Sequence, residues 1–225
     1  ANAPAAPAAA DEKIAADVRM RLEEERQRLA RLDAPGGLKA GAPPGTDELE
    51  LRGRRIRAVF AVRTLEQQLA DLGELTEARA QRKALEHLLE SWTGLPDKPP
   101  YSILLADRLR TEYQAADTRL KGLNSREELL RQTASSARDD IKTFKTRLRQ
   151  LNDRAERARS DTSEEQIAWN RDQTSSRLRM AETLASATET SQNLLNEQEA
   201  VAQLELDLAR RQLQAVGNAV QFSPE

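Results

Sequence analysis

ADRLRTEYQAADTRLKGLNSREELLRQTASSARDDIKTFKTRLRQLNDRAERA, residues 106–158, decides the fold. Steps of three and four alternate from Ala106 through Leu109, Tyr113, Ala116, Leu120, Leu123, Glu127, Leu130, Ala134, Ala137, Ile141, Phe144, Leu148, Leu151 and Ala155 to Ala158. Residues three and four apart share a helix face, so this is one apolar stripe with a single charged interruption, Glu127. Gly122, Asn124, Ser125 and Glu128 carry the local signs of a helix stop followed by a capping box. A helix that restarted there would lose the register of the stripe, and the register is kept. The spacing therefore predicts one continuous helix from about Ser102 to Arg159, weakened near Gly122 and roughly 85 Å long at about 1.5 Å per residue.

Outward from this stripe the chain reads as three further helices. The first covers about 11–33, with Ala15, Val18, Leu22, Leu29 and Leu32 in step and Glu25 interrupting. It stops at APGGLKAGAPPG, residues 34–45, where Gly and Pro forbid continuation. The next covers about 47–91, with Thr46 as expected N-cap and a stripe of Ile56, Val59, Val62, Leu65, Leu69, Leu72, Leu85 and Leu88. The last covers about 163–216 and opens with a Ser163/Gln166 capping box. Its seam is polar early (Asn170, Thr174, Thr188, Ser191, Gln198) and apolar late (Val201, Ala202, Leu204, Leu206, Leu208, Leu213, Val216). Loose two-helix packing is expected near its start and burial on several sides near its end.

Folding back at each loop gives an all-α, elongated antiparallel helical bundle or coiled coil of three long helices plus a shorter N-terminal one. Residues 11–217 form the bundle, 1–10 a disordered Ala/Pro leader and 218–225 a C-terminal tail. In this register Arg54 and Arg55 stand beside Asp139 and Asp140. Residues of about 148–175 form a two-helix tip that bears Trp169 with little core to hide it.

Composition agrees with long helices and narrow stripes. Charged residues make up 32% and aromatics 3%, too few bulky side chains for a wide core. The net charge of −2 gives no global field for nucleic acid or an anionic membrane. There is no cysteine, so disulfides and thiolate metal sites are excluded. The opening ANAPAAPAAA reads as a fresh N-terminus left by signal peptidase or as the edge of a cloned segment, and the first is the expectation.

Catalytic constellations are missing. His87, the one histidine, lies between Glu86 and Glu90 and reads as a surface residue. The glycines at 36, 37 and 41 have no following GK[ST], and Asp139 and Asp140 are adjacent and point apart. No enzyme activity, cofactor or metal is expected. Two arginine runs, Arg52 to Arg57 and Arg147 to Arg159, are candidates for phosphate contact, set against a reading as paired helix faces without an aromatic platform.

One loop is chemically specific. WTGLPDKPPYS, residues 92–102, has Trp92 and Tyr101 at its mouths, and Pro99 and Pro100 fix the approach to Ser102 as N-cap. A rigid turn that sets helix register is the first reading; a docking point is the second. Trp92, Pro99, Pro100, Tyr101 and Trp169 are the interaction candidates.

APPGTDELELRGRRIRAVF and the pattern W-x-G-x-P-x-x-P-P-Y-S-x-x-L-A-D-x-L-R from Trp92 to Arg110 resemble the N-terminal periplasmic coiled-coil region of large bacterial channels. These belong to the small-conductance mechanosensitive channel family, and the resemblance covers roughly residues 42–160. It implies a periplasmic, non-catalytic domain tethered to the inner membrane, ahead of membrane helices and a pore. The implied parent responds to hypo-osmotic shock and conducts ions, with this domain as mechanical spacer, lever or interaction arm. Implied partners are the membrane-embedded part of the same chain, a homo-oligomeric ring (usually of seven subunits in this family), and periplasmic or envelope components, with no nucleic acid. A coiled-coil scaffold or adaptor of the envelope or cytoplasm is the alternative.

Overall fold

The computed structural model describes residues 7–157 and 161–217. It is 88% helical, with four long helices and no strand among the described residues. They are α1 (Pro7–Asp33), α2 (Glu48–Ser91), α3 (Ile103–Ala155) and α4 (Asp161–Gly217), with a 3₁₀ turn at Gly37–Lys39. The tail 218–225, most of the leader, and Ala158 and Arg159 lie outside the described residues, as does the Ser163 side chain.

Helix ends follow local chemistry. α1 starts at Pro7, inside the predicted leader, because proline suits the first helical position and Ala8 to Ala10 are strong helix formers. Asp47, not Thr46, caps α2: its Oδ1 accepts the Leu49 amide at 3.2 Å, while the Thr46 hydroxyl donates to the Pro43 carbonyl at 2.7 Å. Ser102 caps α3, its Oγ accepting the Leu105 amide at 3.2 Å. α3 runs unbroken through Gly122.

The chain divides into two compact units, residues 1–72 with 130–191, and residues 73–129 with 192–225. In the first, α1 runs antiparallel to α2 and α4. Arg26 meets Glu66 at 2.7 Å and Arg55 meets Asp33 at 2.6 Å, while Arg21 bonds Thr183 at 3.0 Å. α2 and α4 run parallel, and their bonded partners differ by 116 to 122 residues throughout the unit. α3 runs antiparallel to α4, with Lys145 and Glu182 3.3 Å apart.

In the second unit α2 and α4 are again parallel. Gln81 donates to Glu205 at 3.0 Å and Arg211 to the Leu89 carbonyl at 2.9 Å. Arg119 of α3 reaches Glu205 at 3.2 Å. Glu197 takes Arg79 at 3.5 Å and Arg82 at 3.2 Å.

The stripe on α3 lies as its spacing dictates. Ala106, Leu109, Ala116, Ala134, Ala137 and Leu151 are buried. Tyr113, Leu120, Leu123, Glu127, Leu130, Ile141, Phe144, Leu148 and Ala155 are half-buried.

Several expectations are corrected. On α2 Leu65 and Leu72 are buried and Val59, Val62, Leu69 and Leu85 half-buried, as the spacing predicts, but Ile56 and Leu88 are exposed, and Leu51, Ala58, Ala61, Gln68, Asp71, Leu75, Ala78 and Leu89 are buried as well. Small residues let neighbouring helices close in, so the face with alanines is the one that packs. Arg54 and Arg55 do not meet Asp139 and Asp140. Arg54 pairs with Asp172 at 3.1 Å and Arg55 with Asp33, while Asp139 takes Lys142 on its own helix at 3.2 Å. Loose packing is seen only at the very start of α4, where Glu164, Glu165, Gln166, Ala168 and Arg171 are exposed, and it does not extend past Asp172. Between Asp172 and Ser191 only Glu189 is exposed, because α1, α2 and α3 all reach this stretch.

Candidate functional site

The loop after α2 is built around its aromatic residues. Gly94 has φ +134°, a conformation that L side chains rarely adopt, and the Pro99–Pro100 peptide is cis. Leu95, Tyr101, Leu105 and, from α4, Leu213 pack against the buried side chains of Ala106, Leu109 and Val216. Val216 is 1% exposed and lies one residue from the end of α4. Loop, first turns of α3 and last turns of α4 therefore share one apolar cluster. Trp92 is half-buried and stands outside it, and Pro99 and Pro100 are exposed. Of the loop candidates only Tyr101 joins the cluster.

Trp169 is a different kind of residue from the one expected. It is 2% exposed and belongs to the first unit. Its indole N–H donates to Glu50 Oε1 at 3.1 Å, and the Arg54 guanidinium lies 4.7 Å from the ring centroid. Arg54 also donates to the carbonyls of Leu38 at 3.0 Å and Ala40 at 2.9 Å, tying the 34–47 connection to the same place. The first turns of α2 thus cover Trp169, which was expected to have little core to hide it. A buried indole with its N–H bonded and one face under a cation is a structural anchor, so Trp169 is withdrawn as an interaction candidate.

A charged layer surrounds this anchor. Asp172 takes Arg54 at 3.1 Å and Arg28 at 3.7 Å, and Glu25 lies 3.7 Å from Arg179 and 3.9 Å from Arg28. The interruption at Glu25 is therefore an inward acid that meets α4. Burial pushes its carboxyl above the usual range, partly opposed by Arg28. Burial likewise lowers Arg57, helped by nearby Arg177 and Arg28 and opposed by Asp172. In the second unit burial and then the neighbouring Glu127 raise Glu199.

The first arginine run is used up by the fold. Arg52 pairs with Glu48 at 2.7 Å, Arg54 with Asp172, Arg55 with Asp33, and Arg57 bonds Gln173 and Ser176. Among the described residues no group of three or more His, Asp or Glu side chains is placed to hold a metal, and His87 is exposed. No helix of the described residues is long and apolar enough to cross a membrane. No family model matches the chain, and no curated protein or solved structure matches it.

Sequence reasoning missed the partners that hold Trp169. Glu50 and Arg54 lie at i and i+4, and Trp169 and Asp172 at i and i+3, so each pair shares a face. That two such faces meet depends on the level at which α2 starts against α4, which no local pattern encodes.

Proposed function

We propose that the chain is a non-catalytic extramembrane domain of a mechanosensitive channel, acting in the periplasm as a spacer, lever or interaction arm. The observation that carries this reading is the pattern from Trp92 to Arg110, whose Tyr101, Ala106 and Leu109 clasp Leu213 and Val216 of α4. A loop and a helix end joined in one cluster make a defined attachment point for a neighbouring element. The helical bundle suits a mechanical role, because hydrogen-bonded helices transmit displacement without needing a site for chemistry. In this reading the parent releases solutes on hypo-osmotic shock and assembles as a ring.

The test is the reading frame that contains the segment, followed by physiology. Apolar membrane spans encoded beyond Glu225 are expected, together with tension-gated currents in patches from cells that express the parent. A stop codon directly after Glu225, or an attached β-rich adaptor domain, overturns the channel reading in favour of a scaffold.

A further inference from the structure

The second arginine run has a different fate from the first. From Lys142 to Arg157 the chain carries six cations, Lys142, Lys145, Arg147, Arg149, Arg154 and Arg157, against two acids, Asp153 and Glu156. Lys145 is bound to Glu182 and Lys142 to Asp139. Arg147, Arg149 and Arg154 have no ion pair or side-chain hydrogen bond to any described residue, and all three are exposed. Helix packing therefore does not account for this run as it does for Arg52 to Arg57.

These side chains also share a place. A groove of about 650 Å³ in the first unit is lined by Lys142, Thr146, Arg147, Gln150 and Arg154 of α3 and by Asn170 of α4. No acid is among its described lining residues, and the buried side chain of Leu151 closes part of its wall. Lys142, Arg147 and Arg154 recur every five to seven residues, so they sit about 8 and 10 Å apart along the helix axis. Neutral hydrogen-bonding groups fill the steps between them. Guanidinium groups present planar forks of donors that match phosphate oxygens, and a recess framed by three cations concentrates their field.

We propose that this groove binds a phosphate group, held by Arg147 and Arg154 with Lys142 adding charge at one end. The field is short. Asp153, Glu156, Glu164 and Glu165 lie close by in sequence, and no aromatic side chain on which a base would stack is among the described lining residues. A compact anion suits it better than a long nucleic-acid strand. The phosphate has two possible sources, an anionic phospholipid headgroup or free phosphate in solution, and the same chemistry serves both. The proposal rests on the groove alone and not on the channel reading.

The experiment uses the full chain at low ionic strength. Binding is measured by calorimetry with inorganic phosphate and by co-sedimentation with phosphatidylglycerol vesicles, with phosphatidylcholine vesicles as reference. Saturable binding in at least one arm is expected, weakened tenfold or more in the double variant Arg147→Gln/Arg154→Gln. The control Arg52→Gln, on the other run, is expected to bind as the parent does. Variant-sensitive binding to phosphatidylglycerol assigns the headgroup as source, and variant-sensitive binding to phosphate alone assigns the free ion. Both replaced arginines are exposed and have no partner among the described residues, so circular dichroism is expected to show an unchanged fold. Absence of binding in both arms overturns the proposal, as does binding that the double variant leaves intact. Variant-sensitive binding of a 12-nucleotide single strand, tighter than that of phosphate or vesicles, overturns it in favour of nucleic acid.

Discussion

The two units share three helices but bury different chemistry. Among the described residues the buried polar and charged ones, Gln68, Asp71, Gln173, Thr174, Ser176, Thr183, Thr188 and Thr190, all belong to the first unit. In the second the buried residues are apolar, among them Leu75, Leu89, Leu109, Leu194, Leu195, Val201 and Val216. α4 alone changes from Thr, Ser and Gln to Leu, Val and Ala along its length.

Most of these polar side chains find hydrogen-bond partners inside the first unit, although the Gln68 side-chain carbonyl has none among the described residues. Thr174 and Thr188 donate to the carbonyls four residues back, both at 2.7 Å, so they cost little when buried and take little room. Gln68 reaches across from α2 to Ser186 and Thr190, both at 3.0 Å, and Asp71 accepts from Ser191 and from Gln67. Cross-helix bonds of this kind are lost if the register slips by one turn, whereas an alanine or leucine face packs nearly as well after such a slip. We read the polar layer as the register key of the first unit. The second unit has its cross-helix polar links at Glu197 and Glu205, outside the buried set.

The largest expected effects test whether each unit stands on its own anchor. Trp169→Ala removes the buried indole of the first unit and is expected to cost about 3–5 kcal/mol. Leu195→Ala, 1% exposed in the second unit, is expected to cost about 2–5 kcal/mol. Hydrogen exchange on each variant checks the comparison: protection is expected to fall first in the unit that carries the substitution. A uniform loss in both variants would show that they unfold as one body and that the division has no energetic meaning.

Ile141→Pro follows, at about 3 kcal/mol or more, because proline removes a helical hydrogen bond and clashes with the preceding turn. Circular dichroism is expected to show lost helicity, and exchange to rise around residues 137–145. Unchanged helicity and melting temperature would refute the α3 register.

How much of this was legible follows from the same contrast. The α3 stripe was readable because its large and small apolar residues keep one period over the whole helix. The α2 stripe was legible at Leu65 and Leu72 and failed at its ends, Ile56 and Leu88, which are large and apolar yet exposed. The packed face also includes Ala58, Ala61 and Gln68, small or polar residues that a search for large hydrophobic ones passes over. Tyr101 was legible as part of a structured loop, since proline and aromatic residues act locally. Trp169 was not, because its burial depends on where the first turns of α2 fall against α4 and on the cover supplied by α1.

Asp71→Ala tests the register key directly. It strips Ser191 and Gln67 of their acceptor at a site 2% exposed, which is expected to cost about 1–3 kcal/mol. The sharper readout is specificity. If the polar layer sets register, the variant is expected to broaden the amide spectrum of the first unit while leaving the resonances of the second sharp. Sharp resonances in both, with only a lower melting temperature, would reduce the layer to ordinary packing.

The smallest effect lies in the second unit and has the opposite sign. One carboxylate oxygen of Glu199 is buried without a hydrogen-bond partner, and burial, then Glu127, raises its pKa in the folded state. A raised carboxyl binds its proton more tightly folded than unfolded, so its contribution to stability is full below the unfolded value of about 4.3 and is lost as pH rises through the folded value. At neutral pH the ionised Glu199 therefore works against the fold. Glu199→Gln keeps the shape and removes the charge, and it is expected to raise the melting temperature slightly at pH 7.5. That gain is expected to shrink as pH falls through the folded value and to vanish below about 4.3, where the native side chain is neutral too. The matched substitution Glu25→Gln in the first unit sharpens the contrast. Burial also raises Glu25, but Arg28 and Arg179 face it, so neutralising it removes attraction as well as desolvation and a smaller gain is expected. Melting curves of both variants across pH 4 to 8 decide the matter. An equal gain in the two would mean that the arginines around Glu25 contribute nothing.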